Sequence, residues 1–247
     1  MTRQEEIVKI VSEHKKIEVN ELSKKLKVSK VTIRKDLDKL VARGILHREH
    51  GYAVLNSKDD LNYRLAINYE LKQKIAKEAV KEIEDNDTVL IESGSTCALL
   101  AEEIAFNRKN VTIITNSSFI AAYIRNSESV NIILLGGEHQ KKSQVNIGVL
   151  TEQALSHFYV DKLFIGIDGV DEQRGFTSSN LRRSETARIM AERSEKVITL
   201  TDSSKFDHKG TITEFRFPEV AKVYTDSGIR DQDKQLLDNH NIQLVTV

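Results

Sequence analysis

The sequence predicts an α/β domain with a mostly parallel sheet, preceded by a small winged helix-turn-helix domain. Three observations carry this. From Thr88 onward, short apolar runs rich in Val and Ile alternate with helical stretches, the pattern of a sheet covered on both faces. The first fifty-five residues hold three short helical patterns and a glycine-containing hairpin. Charge is also divided. Residues 1–55 carry 13 Lys/Arg against 8 Asp/Glu, a surplus of five, and the chain as a whole is neutral with 37 of each. The remainder therefore carries a deficit of five. A basic head on an acidic body suits a phosphate-binding module joined to one that does not bind nucleic acid.

At 247 residues the chain is long enough for a small head and a larger body. The expected division is residues 1–56 as the head, 57–72 as a linker and 73–247 as the α/β body. The single Cys excludes an internal disulfide and a Cys-rich metal site. His47 and His50 sit in a predicted turn without carboxylate or Cys neighbours, so neither a metal nor a cofactor is expected. There is no basic-then-apolar leader and no apolar run of bilayer length. A cytoplasmic location without a membrane partner is the expectation.

In the head, Ile7, Val8, Ile10 and Val11 form the apolar stripe of a first helix over Glu5–His14. Asn20 is placed to cap a second helix with Leu22 and Leu26 inward. Lys27-Val28 makes a tight turn, and Ser29 caps the third helix, its hydroxyl able to accept an exposed backbone N–H. On that helix Ile33, Leu37, Leu40 and Val41 share one face and are expected in the core. The opposite face presents Val31, Thr32, Lys35 and Lys39, with Arg34 at its boundary. Gly44 is expected to end the helix. Ile45–Arg48 and Tyr52–Leu55, joined by Glu49-His50-Gly51, read as a two-stranded wing. A helix entering a major groove sets its first side chains on base edges and later basic ones on phosphates. The candidate DNA-binding residues are Ser29, Lys30, Val31, Thr32, Arg34, Lys35, Lys39 and Arg48, and the partner is a double-stranded DNA operator.

In the body the expected strands are Thr88–Ile91, Val111–Ile114, Val130–Leu135, Lys162–Ile167, Lys196–Leu200, Ala221–Tyr224 and Ile242–Val245. Helices are expected over Cys97–Ile104, Phe119–Ile124, Thr151–Phe158 and Leu181–Arg193, with an earlier one from Leu71 to Ala79. Ligands of such sheets bind beyond the C-terminal strand ends. The polar residues collect there. Glu92-Ser93-Gly94-Ser95-Thr96 opens a helix, where small residues and a helix N-terminus favour an anion. Asn116, Asp168, Asp171 and Lys205 follow other strands. An anion loop with carboxylates, an amide and one Lys suits a phosphorylated sugar. The candidate effector residues are Arg64, Ser93, Gly94, Ser95, Thr96, Asn116, Asp168, Asp171 and Lys205. Cys97 is expected to be a structural small residue.

With these motifs in hand, the chain resembles the DeoR family of bacterial sugar-metabolism regulators. In the head the likeness rests on Ser29, Thr32-Ile33-Arg34, Asp36-Leu37, Gly44 and Gly51. In the body it rests on Ser93-Gly94-Ser95-Thr96, Thr115-Asn116, Gly136-Gly137, Gly175-Phe176-Thr177 and Asp202-Ser203-Ser204-Lys205-Phe206. Arg64 and Lys72 match positions the family tends to keep basic. Two features depart from the pattern: Gly51-Tyr52-Ala53 in the wing, where two glycines and an alanine are usual, and Lys35, where Arg is usual. The body is also similar to ribose-5-phosphate isomerase at Gly94-Ser95-Thr96, Asp168-Gly169-Val170-Asp171-Glu172 and the Lys205 segment. That likeness implies that Asp168, Asp171 and Lys205 touch the sugar.

An aldose–ketose isomerase needs a carboxylate to move a proton between adjacent carbons. By the resemblance, Ala187 occupies the position of that base. Glu185 lies two residues earlier, about 200° around a helix, and does not replace it. The reading is a DNA-binding transcriptional regulator, a repressor of sugar-metabolism genes under control of a sugar phosphate, and not an enzyme. The alternative is a sugar-phosphate isomerase-like enzyme with a DNA-binding appendage. Symmetric operators suit paired heads, so a homodimer or homotetramer is expected.

Overall fold

A computed structural model describes residues 3–14, 16–42, 46–55 and 60–247. The chain divides into two compact units, Met1–Ile67 and Asn68–Val247.

In the first unit, α1 (Arg3–His14) is followed by β1 (Lys16–Glu18), α2 (Val19–Leu26) and α3 (Lys30–Ala42). The hairpin β2 (Leu46–Glu49) and β3 (Tyr52–Leu55) comes next, then α4 (Leu61–Ala66). Ile7, Val11, Leu22, Ile33, Leu37, Leu40, Leu46 and Ala53 close one core. Burying each large aliphatic side chain contributes roughly 1.5–3 kcal/mol. The helix period explains most of this set, with one exception. Val41, expected inward, is 36% exposed, because it lies at the edge of the stripe, about 80° around the helix from Ile33.

The turn between α2 and α3 works as the sequence suggested. Lys27 is left-handed at φ 53°, and its N–H and that of Val28 return to the carbonyls of Lys24 and Ser23. Three readings differ. Helix α2 begins at Val19 with Glu18 as its flanking residue and no side-chain cap; Asn20 lies inside the first turn. The wing has a third strand, in the order β1-β3-β2, with Ile17 opposite Ala53. The expected connector also holds a helix. Asp60 caps α4 by accepting from the amides of Asn62 and Tyr63, and Tyr63 and Ala66 pack on the head's core. A six-residue helix has no room for a legible period. The expected ends at Gly44 and Ile45 and the segment Ser57–Asp59 lie outside the described residues.

The second unit opens with α5 (Tyr69–Ala79). Then come β4 (Thr88–Ile91), α6 (Ser95–Asn107), β5 (Val111–Thr115), α7 (Ser118–Tyr123) and β6 (Val130–Leu134). A hairpin β7 (Glu138–Gln140) and β8 (Val145–Ile147) leads to α8 (Val149–Leu155) and β9 (Val160–Ile165). After β10 (Gly169–Asp171) and β11 (Gly175–Ser178) follow α9 (Leu181–Glu192), β12 (Ser194–Leu200), β13 (Ile212–Phe215) and β14 (Lys222–Thr225). The unit ends with α10 (Asp231–Asn239) and β15 (Gln243–Thr246).

Seven strands form one sheet in the order β15-β14-β12-β9-β4-β5-β6, every pair parallel. These are the seven strands expected from the sequence. The antiparallel sheet β10-β11-β13 and the hairpin β7-β8 were not anticipated. Their strands are three or four residues long and carry Gly, Thr, Asn and Glu, so they give no apolar run.

The order fixes where a ligand crevice forms. From β4 the chain moves outward through β5 to β6, then returns to β9 on the other side of β4 and continues through β12, β14 and β15. The direction of winding therefore reverses between β4 and β9, and in open α/β sheets the crevice lies at that reversal, beyond the carboxyl ends.

Candidate functional sites in the two units

On the head, Ser29 does what its position suggested. Its Oγ accepts the Thr32 amide at 3.1 Å and lies 2.8 Å from Thr32 Oγ1. This satisfies an otherwise free N–H of α3. The capped end presents Lys30, Val31, Arg34, Lys35 and Lys39 to solvent, with Val31 61% exposed. An apolar side chain held so far from the core, in a basic surround, has no folding role. Thr32 is half-buried, partnered by Ser29. Asp36 is buried, with its carboxylate 2.5 Å from Arg3 Nε, so the α3 acid nearest the core is tied to α1.

Arg48 joins the wing to α3. Its Nη2 donates to the Arg34 carbonyl at 2.9 Å and pairs with Asp38 at 3.0 Å. The wing turns at His50 and Gly51, both at positive φ (47° and 87°), which matches a two-residue turn to the strand twist. A cleft of about 410 Å³ lies between this turn and the start of α2, lined by Asn20, Arg34, Arg48 and His50 among others. Asn20 and His50 did not stand out in the sequence as contributors to the basic face.

In the second unit the residues after β4 and β9 face the reversal. The ladder extends one residue past β4, since the Glu92 amide donates to the carbonyl of Phe164 in β9 at 3.0 Å. Gly94 flanks α6 in extended conformation, and Ser95 opens that thirteen-residue helix. Gly94 and Thr96 are buried and Ser95 half-buried. The Ser93 hydroxyl is buried and donates to Glu92 Oε1 at 2.5 Å, so it is engaged with its neighbour. Cys97 is buried with Sγ 3.7 Å from the Phe164 carbonyl, a packing role that fits the structural reading.

Beyond β9, Asp168 is half-buried, and its Oδ2 accepts the Ser179 amide at 2.9 Å. Beyond β5, Asn116 is 2% exposed; its Nδ2 donates to the Asn146 carbonyl, while Oδ1 has no partner among the described residues. A buried amide oxygen without a donor is costly and suits a hydroxyl or water. Lys205 lies in the 3-10 turn Ser203–Asp207 after β12, half-buried and in no ion pair among the described residues. Its neighbour Asp202 accepts from the Ser204 amide and from Asn68 Nδ2 at 3.2 Å each, and also from the Ser204 hydroxyl. Asp202 is thus a structural cap.

Two expected effector residues stand apart. Asp171 occupies the tip of the β10–β11 hairpin, the end away from Asp168. Its carboxylate accepts the Gln173 and Arg174 amides at 3.0 Å and meets Arg174 and Lys209. The Gln173 amide bond, then that of Arg174, with the Lys209 and Arg174 side chains, overcome burial and hold the carboxyl far below its usual range. The turn it builds uses all of its acceptor capacity. Arg64 lies half-buried on α4 of the first unit, whereas the other expected effector residues belong to the second.

One residue at this site escaped the sequence reading. Glu214, on β13, is 5% exposed. Burial pushes its carboxyl well above the normal range, and the nearby charges of Glu92 and Asp168 push it further, against the pull of Arg183 and Arg188. Arg188 also donates to the Glu214 carbonyl at 3.0 Å. Glu214 sits in the four-residue run Ile212–Phe215, where no alternation of burial marks a strand. Ala187, at the position where an isomerase base is expected, is buried in α9.

A winged helix-turn-helix head joined to an α/β unit with polar residues gathered at its sheet reversal fits a ligand-responsive DNA-binding regulator. The chain belongs to the DeoR family. Residues 3–59 match the DeoR-like helix-turn-helix domain and residues 67–227 the DeoR C-terminal sensor domain. Among its relatives, the transcriptional repressor AccR of Agrobacterium fabrum is 34% identical, over 92% of this chain and 90% of its own. The glycerol-3-phosphate regulon repressor of Escherichia coli K12 is 30% identical, over 96% and 95%. The L-fucose operon activator of Haemophilus influenzae is 30% identical, over 98% of each chain. Among solved structures, ribose 5-phosphate isomerase A of Methanocaldococcus jannaschii is 24% identical and overlaps 56% of this chain and 55% of its own, at a TM-score of 0.41.

Proposed function

We propose that this chain represses genes of sugar metabolism and leaves its operator when a phosphorylated sugar occupies the crevice between the ends of β4 and β9. The observation that carries this reading is the topology. The winding reversal falls where the Gly94-Ser95 backbone opens α6, so the helix N-terminus meets the crevice. Phosphate goes to that end. Sugar hydroxyls go to Asp168 and to the unpartnered Asn116 oxygen, and Lys205 balances the charge. Glu214, holding its proton, donates or accepts a hydroxyl hydrogen bond. Asp171 supports the hairpin that carries Asp168.

In the head, Val31 and Thr32 meet base edges, and Lys30, Arg34, Lys35 and Lys39 meet bases or phosphates. Arg48 keeps the wing in register with α3. The protein acts in the cytoplasm as a homodimer or homotetramer, and the buried Ala187 fits a regulator without isomerase chemistry. A ligand switches the protein only if it binds its operator-bound and free arrangements with different affinity. The test is operator affinity by fluorescence anisotropy, titrated with a panel of hexose, pentose and triose phosphates. Release by one class, lost in Ser95→Asp, is the expected result. No response to any member, with Ser95→Asp binding the operator as the parent does, overturns the reading.

A further inference from the structure

Five large apolar side chains of the second unit stand exposed in one corner. Ile133 (36%) and Leu134 (44%) lie on β6, Val149 and Leu150 (66% each) open α8, and Leu181 (57%) opens α9. Two contacts bring these segments together at the edge of the sheet. The Thr151 hydroxyl donates to the Gly136 carbonyl at 2.6 Å, tying the first turn of α8 to the chain two residues past Leu134. Arg182 pairs with Glu138 at 3.0 Å, tying the start of α9 to the same segment. Exposed apolar side chains gathered at one edge mark an association surface.

The backbone of the patch identifies the occupant. Strand β6 pairs only with β5 among the described residues, and ends the seven-stranded sheet. Its sequence, Val130-Asn131-Ile132-Ile133-Leu134, has no charge and no Pro, the devices that normally protect a free edge. The opposite edge, β15, keeps its apolar Leu244 and Val245 half-buried. A strand fits a strand, and a two-fold axis across β6 sets the edge against itself as an antiparallel pair with matched donors and acceptors. The rim charges, Glu138 and Arg182, are already paired with each other, so they bring no unpaired charge to the join.

We infer that this corner is where two copies of the chain associate, with β6 of each copy pairing antiparallel and α8 closing over the join. The inference rests on the regulator reading only in that paired heads suit a symmetric operator.

The test uses the full chain. Sedimentation at micromolar concentration gives a mass of at least two chains for the parent protein. Ile133→Lys, and separately Leu150→Glu on the outer face of α8, where the sheet is undisturbed, lower that mass to half or less. Phe106→Lys, an 81% exposed position near the C-terminal end of α6, does not. Oxidation of Asn131→Cys gives a covalent dimer, and Phe106→Cys gives none; native Cys97 is buried and does not interfere. A monomeric parent, or unchanged mass in both folded edge variants, or no Asn131→Cys dimer, overturns the inference. Stabilisation of the dissociated variants by a sugar phosphate in a thermal melt separates this outcome from failure of the effector reading.

Discussion

Gly94 and Gly166 bring the ends of β4 and β9 into van der Waals contact at the reversal of the sheet. A β-carbon on Gly94 would lie 3.3 Å from both the Cα and the amide nitrogen of Gly166, and 3.1 Å from Cys97 Sγ. The backbone where Gly94 leads into α6 is therefore set by the absence of a side chain, because the two chains pass without one.

Gly94→Ala forces these neighbours apart by a few tenths of an ångström. Overpacking of this kind costs about 1–3 kcal/mol. The expected result is a lower midpoint of chemical denaturation together with a weaker sugar-phosphate response of operator binding. Unchanged values for both would show that the close approach has no part in the site.

Ser29→Ala removes the cap of α3, worth about 1 kcal/mol. The amides of Thr32 and Ile33 should exchange with solvent faster by hydrogen exchange, and operator affinity should fall because the helix start frays. If Thr32 keeps its protection, the 3.1 Å contact to Ser29 Oγ contributes nothing.

Lys35→Ala tests the basic face. Loss of one phosphate contact weakens binding on all sequences and lowers the slope of log affinity against log salt by about one. Loss of affinity for one operator base, with the slope intact, would instead assign Lys35 to base recognition. An unchanged isotherm rejects α3 as the DNA-facing helix.

Glu214→Gln tests the buried carboxyl. Its folded pKa is raised above the unfolded value, so the folded state holds the proton longer. The stability this confers is complete below the unfolded pKa and is lost as pH rises through the folded one. The variant does not ionise. Its melting temperature, relative to the parent, should climb as pH rises out of the ordinary carboxyl range and then level off. A difference independent of pH would show that Glu214 titrates normally.

Much of this protein is written locally in its chain. The stripe Ile33, Leu37, Leu40 falls on one side of a helix by period alone. Ser29 announces its cap, and seven β-branched runs announce seven parallel strands. These are short-range consequences of backbone geometry and of the segregation of apolar side chains, so the residues themselves suffice. The resemblance to the DeoR family rested on the same local motifs.

The tertiary structure decided what depends on residues distant in sequence. Strand order set the winding reversal between β4 and β9, and with it which polar strand ends stand beside each other. It separated Asp171 from Asp168, although only two residues lie between them, because an antiparallel hairpin carries them to opposite ends. It also brought Glu214 near Glu92 and Asp168, across more than a hundred residues in one case, and so gave a plain glutamate in a patternless run a raised pKa. Periodicity reports which side of an element is buried; only the packing of elements reports which charges meet there.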